Sequence, residues 1–406
     1  MTPEEKKSTA LVPVEKQGSA LTKGAYWARV ERRYTVIWRI LLIALLLFAV
    51  LFMLLFSRAF TYDSIFCFFK DLQAVSAFVP SDYDAVYTTY EEGECVSLPY
   101  RGGIAFVNSG GIEVSSPDGK RLLDVDLELT DPRAVASRKY LLAYESGGTT
   151  FSVTNSYAEL FRGETDFPIL GAKISDSGHF VLITTSDEVL SQVLLYDNNF
   201  NLIQCFRRAS ATVDVTISDN GKRIALLGAA AREGTVYTQL DAFLLGEREA
   251  TLSLQFEEEF PLSIGFTNNR TLMILTDRTV RCCNMEGKLH AEYALEGTPT
   301  TVDINENGAL LTLQTESLSA TGRVLVLTKK GDIACDISFD GDIMGAALGK
   351  GEIFLLSGDR AVHVDVDTAE QTTAVVAAGA TDLYIVDNGA VRIVYPAKAE
   401  YLAFGE

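Results

Sequence analysis

Three hairpins of one design recur in this chain of 406 residues, and they limit what it can fold into more than any other feature. They are Lys173-Ile174-Ser175-Asp176-Ser177-Gly178, Thr216-Ile217-Ser218-Asp219-Asn220-Gly221 and Asp303-Ile304-Asn305-Glu306-Asn307-Gly308. In each, an Ile ends one apolar strand, polar residues closing on Gly reverse the chain, and a second apolar strand follows. Ser, Asn and Asp bond their own backbone in such turns, and Gly takes the left-handed dihedrals that side chains disfavour. Weaker copies lie at 263–269 and 134–137. A second hairpin type alternates with the first, through Ser116-Pro117-Asp118-Gly119-Lys120, Asp197-Asn198-Asn199-Phe200-Asn201, Asn284-Met285-Glu286-Gly287-Lys288 and Thr328-Lys329-Lys330-Gly331-Asp332. Two hairpin types alternating at a period of about 40 residues describe a four-stranded blade, and blades in series make a β-propeller. A β-sandwich would not need this period.

Blade starts read near Cys95, Asp131, Phe167, Thr212, Pro261, Pro299 and Asp342, with a partial unit over 379–396. That last unit has strands at 383–386 and 391–395 but lacks a fourth. Residues 84–90 (DAVYTTY) are suited to complete it, so that an N-terminal strand closes the ring and leaves no open edge between first and last blades. The expected fold is all-β, a propeller of eight four-stranded blades with seven as the alternative, over 83–396 and followed by a tail at 397–406.

Ahead of the propeller, residues 40–56 are 17 apolar residues without a charge. A helix over 34–60 is long enough to cross a bilayer if Arg39 and Arg58 snorkel to the two surfaces. The first 39 residues carry eight Lys or Arg, whereas Arg58 and Lys70 are the only two in the 30 residues after the run. That asymmetry keeps the N-terminus cytoplasmic and sends the propeller across the membrane. No small-x-small cleavage site follows the apolar run, so it reads as a retained signal anchor. Residues 1–33 lack periodicity and read as a disordered cytoplasmic tail. Residues 61–82 form a juxtamembrane linker in which Ile65, Phe68, Phe69, Leu72, Val75 and Phe78 recur at helical spacing. Such a helix lies on the outer membrane surface or packs under the propeller.

The chain has 35 basic and 54 acidic residues, of which the first 39 positions hold 8 and 4. The remaining 27 against 50 make a surface that repels phosphate backbones, which excludes nucleic acid as a partner. Six cysteines (Cys67, Cys95, Cys205, Cys282, Cys283, Cys335) without a CxxC spacing read as buried or strand-surface thiols rather than a disulfide scaffold or metal site. Adjacent Cys282 and Cys283 should face opposite sides of one strand.

With the basic tail, the single apolar span, the Ile-Ser-Asp-x-Gly hairpins (Ile-Asn-Glu-x-Gly in the third copy) and the Asp-Gly or Gly-Lys turns in place, the chain resembles a family of single-pass bacterial, chiefly Gram-positive, membrane proteins with an extracytoplasmic propeller of unknown function. The resemblance implies that architecture and carries over no catalytic residue. WD-repeat and quinoprotein-type propellers put Trp in their blades, whereas Trp27 and Trp38 precede the propeller here.

His179, His290 and His363 fall in three different blades and read as structural or solvated. Asp124 with Asp126, and Asp365 with Asp367, place paired carboxylates on a strand face, a pattern that suits a hard cation but more often marks a solvated face. The Glu257-Glu258-Glu259 run reads as a solvated loop. No catalytic, cofactor-binding or metal-binding residue is assigned, and no cofactor is expected. Two functions remain: a noncatalytic binding or scaffolding module of the cell envelope that holds a protein or glycan, and a hydrolase or lyase working at the propeller mouth.

Overall fold

The structure, a computed structural model, describes residues 34, 36–48, 87–88, 95–116, 119–314, 321–396 and 398–404. The chain divides into two compact units, residues 1–68 and 69–406.

In the first unit a helix runs over 36–48 with its apolar side chains exposed. At 1.5 Å per residue it rises about 20 Å, short of the roughly 30 Å hydrocarbon core. Among the described residues no helix is long and apolar enough to cross a membrane. The remainder of the expected 34–60 span, the tail at 1–33 and the linker at 61–82 lie outside the described residues.

The second unit is built from eight four-stranded antiparallel sheets. Blades 1 to 7 are continuous in sequence, over 96–126, 132–164, 169–208, 211–257, 261–294, 298–340 and 345–375. Each begins within a few residues of a sequence-predicted start. Blade 8 takes its three inner strands from Asp382–Asp387, Ala390–Tyr395 and Lys398–Ala403, and its outermost strand from Tyr87–Thr88, which pairs antiparallel with the Lys398–Ala403 strand. Eight blades, rather than seven, are therefore present, and the N-terminal strand closes the ring. The C-terminal assignment needs correction. Lys398–Ala403 is a blade strand and not a tail. Pro396, the expected end of the propeller, sits in the short connection before that strand, where no ladder donor is required of it.

Burial explains why these runs become these strands. The second strands (GIAFV, FVLIT, EIFLLS) are buried along their whole length, because each is covered by the neighbouring blades on both faces, and their central positions are apolar on both faces, with polar residues such as Thr184, Glu352 and Ser357 only at the ends. Outermost strands alternate instead, as in Leu289–Ala294. The core runs between blades. Leu142, Phe151 and Val153 of blade 2 pack with Ile169, Phe180 and Leu182 of blade 3, and Ile104 and Phe106 of blade 1 pack with Val394 and Ala399 of blade 8 to seal the ring. Each such fully buried side chain is worth about 1.5–3 kcal/mol of transfer free energy.

Candidate functional site

The innermost strands of adjacent blades are not paired with one another. They surround a cavity of about 670 Å³ lined by seven of the eight blades, including Tyr100, Arg138, Lys173, Asp219, Asp303 and Arg392. Backbone donors on those unpaired strands need acceptors. Asp214 supplies one between blades 4 and 5, accepting from Ile264 N and Ser263 Oγ at 3.0 Å each. Asp303 does the same between blades 6 and 7, accepting from Leu348 N at 2.9 Å and Asn305 Nδ2 at 3.0 Å. Burial pushes the Asp303 carboxyl above its ordinary range despite those two donors. The strands also approach closely: a Cβ on Gly265 would sit 2.4 Å from Ile304 Cγ2 of the next blade.

Where the innermost strands end, here termed the exit face, the turn of the recurring hairpin puts its third polar position beside the axis. Asp176, Asp219 and Glu306 hold that position in blades 3, 4 and 6, and blade 2 has Arg138 instead. The Arg138 guanidinium bonds Asp176 through Nε, reaches Asp219 at 3.9 Å, and crosses to Glu306 of the opposite blade at 3.4 Å. Desolvation and the neighbouring Asp176 push the Asp219 carboxyl up. Sequence marks Asp176, Asp219 and Glu306 only as turn formers and does not single out Arg138. The signal for their meeting was their equivalent register in successive blades.

The opposite face, where innermost strands begin, here termed the entry face, differs in charge. Its described connections carry Glu128, Asp131, Asp166, Asp187, Glu188, Glu233, Glu258, Glu259, Asp277, Glu296, Asp342 and Asp359 against Arg278 alone. On the exit face the described turns hold eleven Lys or Arg against ten Asp or Glu. Five entry-face carboxylates are ion-paired, Asp131 with Arg133, Glu188 with Arg207, Glu258 with Arg278, Glu259 with Arg281 and Glu296 with Arg323. The other seven make no ion pair among the described residues.

Glu259 corrects the expectation of a solvated acidic run. It is buried, bonded at 2.6 Å by both terminal nitrogens of Arg281 and contacted by Thr276 and Thr279. Burial by itself would raise this carboxyl, but the bonds from Arg281, Thr276 and Thr279 outweigh it and bring it down to about 2. Arg281 also stacks over Phe256 at 4.2 Å.

The histidines stay apart, in blades 3, 5 and 7. His179 is half-buried, not solvent-facing, with Nδ1 2.9 Å from Ser177 Oγ, and burial lowers its pKa. Hydroxyl and neutral imidazole at this distance have the geometry of a nucleophile and base. Gly221 of blade 4, however, covers the pair so closely that a Cβ there would stand 2.3 Å from Ser177 Oγ and 2.5 Å from His179 Nδ1, which leaves a substrate no approach on that side. His290 is exposed. His363 lies 3.0 Å from Glu352 Oε2 and stacks on Phe354, while the same Glu352 oxygen accepts from Gly389 N of blade 8.

Neither carboxylate pair forms a cation site. Asp124 pairs with Arg121 at 2.9 Å, and Asp365 caps its own turn by accepting from Asp367 N and Thr368 N. Among the described residues no group of three His, Cys, Asp or Glu is placed to hold a metal ion. The described cysteines are free thiols. Cys282 and Cys283 do enter different core clusters, and burial raises their thiols to about 11 and about 12.

A closed ring of eight four-stranded blades around a polar axial cavity defines an eight-bladed β-propeller. The chain belongs to the DUF5711 family, a family of unknown function, whose profile matches residues 81–398. No curated protein matches it by sequence. Solved structures similar to it include BamB from Moraxella catarrhalis (12% identity, TM-score 0.49, covering 78% of this chain and 98% of that one) and a eukaryotic initiation factor (13%, 0.52, 79% and 91%). Apo AztD from Citrobacter koseri is similar at 10% identity and a TM-score of 0.51, over 74% of this chain and 91% of that one. At these identities the likeness is one of fold.

Proposed function

We propose that the chain is a noncatalytic binding or scaffolding module of the cell envelope, carried outside the membrane by an anchor at 34–60 with its N-terminus in the cytoplasm. One observation carries the binding reading: the carboxylates at the axis are committed to the ring itself. Asp214 and Asp303 clip neighbouring blades, and Arg138 spans the axis to three carboxylates. Groups so engaged are poor general acids or bases, whereas the loops of both faces are open to a protein or glycan. The anchor is supported by the uncharged run at 40–56 and the eight-to-two distribution of Lys and Arg about it.

Replacing His179 and His290 together by Gln separates this reading from a mouth hydrolase or lyase. A binding module should still complement a deletion strain. A folded double variant that fails to complement, with a loss on the order of a hundredfold in an envelope reaction, would establish imidazole chemistry instead. For the anchor, protease added to intact protoplasts should degrade the propeller and spare a tag placed before Thr2. Protection of the propeller would overturn the topology.

A further inference from the structure

The entry face combines two independent features. Beside its acidic connections, the innermost strands of four consecutive blades are bulged at one equivalent point, between Ile169 and Gly171, Thr212 and Asp214, Pro261 and Ser263, and Pro299 and Thr301. A bulge adds an unpaired residue and re-aims its side chain. Here the extra residues are Leu170, Val213, Leu262 and Thr300, all solvent-exposed and the first three large and apolar, with Leu170 at 52%. Phe260 and Met344, just ahead of the innermost strands of blades 5 and 7, extend the exposed apolar arc. Exposed apolar residues near the exit face, such as Leu202, Leu289 and Ile333, belong to outermost strands and lie away from the axis.

We infer that the entry face is a docking surface for a basic amphipathic polypeptide segment of a partner protein, its apolar side chains on the Leu170–Val213–Leu262 arc and its Lys or Arg among the surrounding carboxylates. Charge complementarity chooses this occupant. Seven carboxylates without ion pairs attract a cationic chain and disfavour an anionic lipid surface or an acidic peptide. The same bulge in blades 3 to 5 puts an exposed apolar side chain at the entry end of each innermost strand, where one segment can cover several blades at once. This inference rests on the binding reading and names its partner chemistry.

The test uses the full chain in zwitterionic detergent and a fluorescent synthetic peptide of about 18 residues with Leu on one helical face and Lys on the other. Photo-crosslinking from p-benzoylphenylalanine at position 170 should capture the peptide, and from position 289 it should not; equal capture would indicate only micelle partitioning and overturn the inference. Binding should weaken between about 50 and about 300 mM NaCl, and be absent for a Leu–Glu peptide. The Leu170→Ser/Val213→Ser/Leu262→Ser variant should bind about tenfold more weakly while melting like the native chain, because exposed substitutions barely perturb stability. Asp187→Lys, Asp342→Lys and Asp359→Lys together should weaken binding and flatten its salt dependence. A Ser–Lys peptide binding as well as the Leu–Lys peptide would remove the apolar arc from the inference. In cells, native partner crosslinks that survive the triple variant would refute this face and leave the scaffold reading standing. Absence of any partner crosslink from the native chain would refute the scaffold reading.

Discussion

Two arginines set opposite pH signatures in this molecule. Glu259 is held down to about 2 by Arg281, Thr276 and Thr279, below the ordinary carboxylate value that it regains on unfolding. A depressed folded pKa gives stability that is complete above the unfolded value and lost as pH falls toward the folded one. Glu259→Gln should therefore destabilise the chain at neutral pH by roughly 3 kcal/mol, as expected when a buried partner is removed, and the difference in denaturant midpoint from native should shrink between about pH 4.5 and 2. A constant difference across that range would mean that the pair is not the source. Arg138 behaves differently, being 66% exposed, and solvent discounts its contribution. In Arg138→Ala, Asp219, whose carboxyl burial and Asp176 already push up, would lose the neighbouring cation that holds it down and rise further above its unfolded value. Stability from such groups is present at low pH and lost as pH rises, so the melting temperature of Arg138→Ala should approach native below about pH 4 and lag at pH 7. The charge at Glu259 and the turn chemistry at Asp176 were both legible in sequence. Their partners were not, because Arg281 is 22 residues from Glu259, two strands further into blade 5, and Arg138 is 38 residues from Asp176 in the preceding blade, so only the packing of strands and blades brings them together.

Strands and hairpins were the most legible elements, since a second strand covered on both faces must be apolar at its central positions and the turns between must be polar with Gly. Seven blade starts followed from that alternation. The bulges of blades 3 to 6 left no comparable mark, because Leu170, Val213 and Leu262 look like ordinary strand residues until their pairing register is known. The last blade was half-legible. Its N-terminal strand was anticipated within 84–90, whereas Lys398–Ala403 carries Lys398 and Glu400 after a proline and was missed. Closure by a strand from the far end of the chain joins the first and last blades, so its loss should be felt globally. Deleting residues 83–91 would leave the Lys398–Ala403 strand as an open edge, lower the melting temperature by several degrees and increase aggregation. A deletion variant that melted like the full chain would remove the closing role from this segment.

At the scale of the whole molecule, charge is both excessive and unevenly placed. The formal charge is −19, and among the described residues the entry-face connections hold twelve carboxylates against one arginine, while the exit-face turns are nearly balanced. The total was legible from composition, but its partition was not, because acidic residues of the two faces alternate along the chain as hairpin follows hairpin. Clustering of like charge opposes the compact state, and apart from the buried Glu259–Arg281 pair the ion pairs that offset it, such as Glu188 with Arg207 at 2.8 Å, are exposed and worth less than about 1 kcal/mol each. Salt screens both terms over a Debye length of about 10 Å at 0.1 M. Repulsion among the seven entry-face carboxylates that make no ion pair among the described residues is the larger of the two, so the melting temperature of the full chain should rise as NaCl is increased from about 20 to about 300 mM. The Asp187→Asn/Asp342→Asn/Asp359→Asn variant, with three of those charges removed, should melt higher at low salt and gain less from added salt. A native melting temperature that fell with salt would place the balance with the ion pairs and contradict this account of the acidic face.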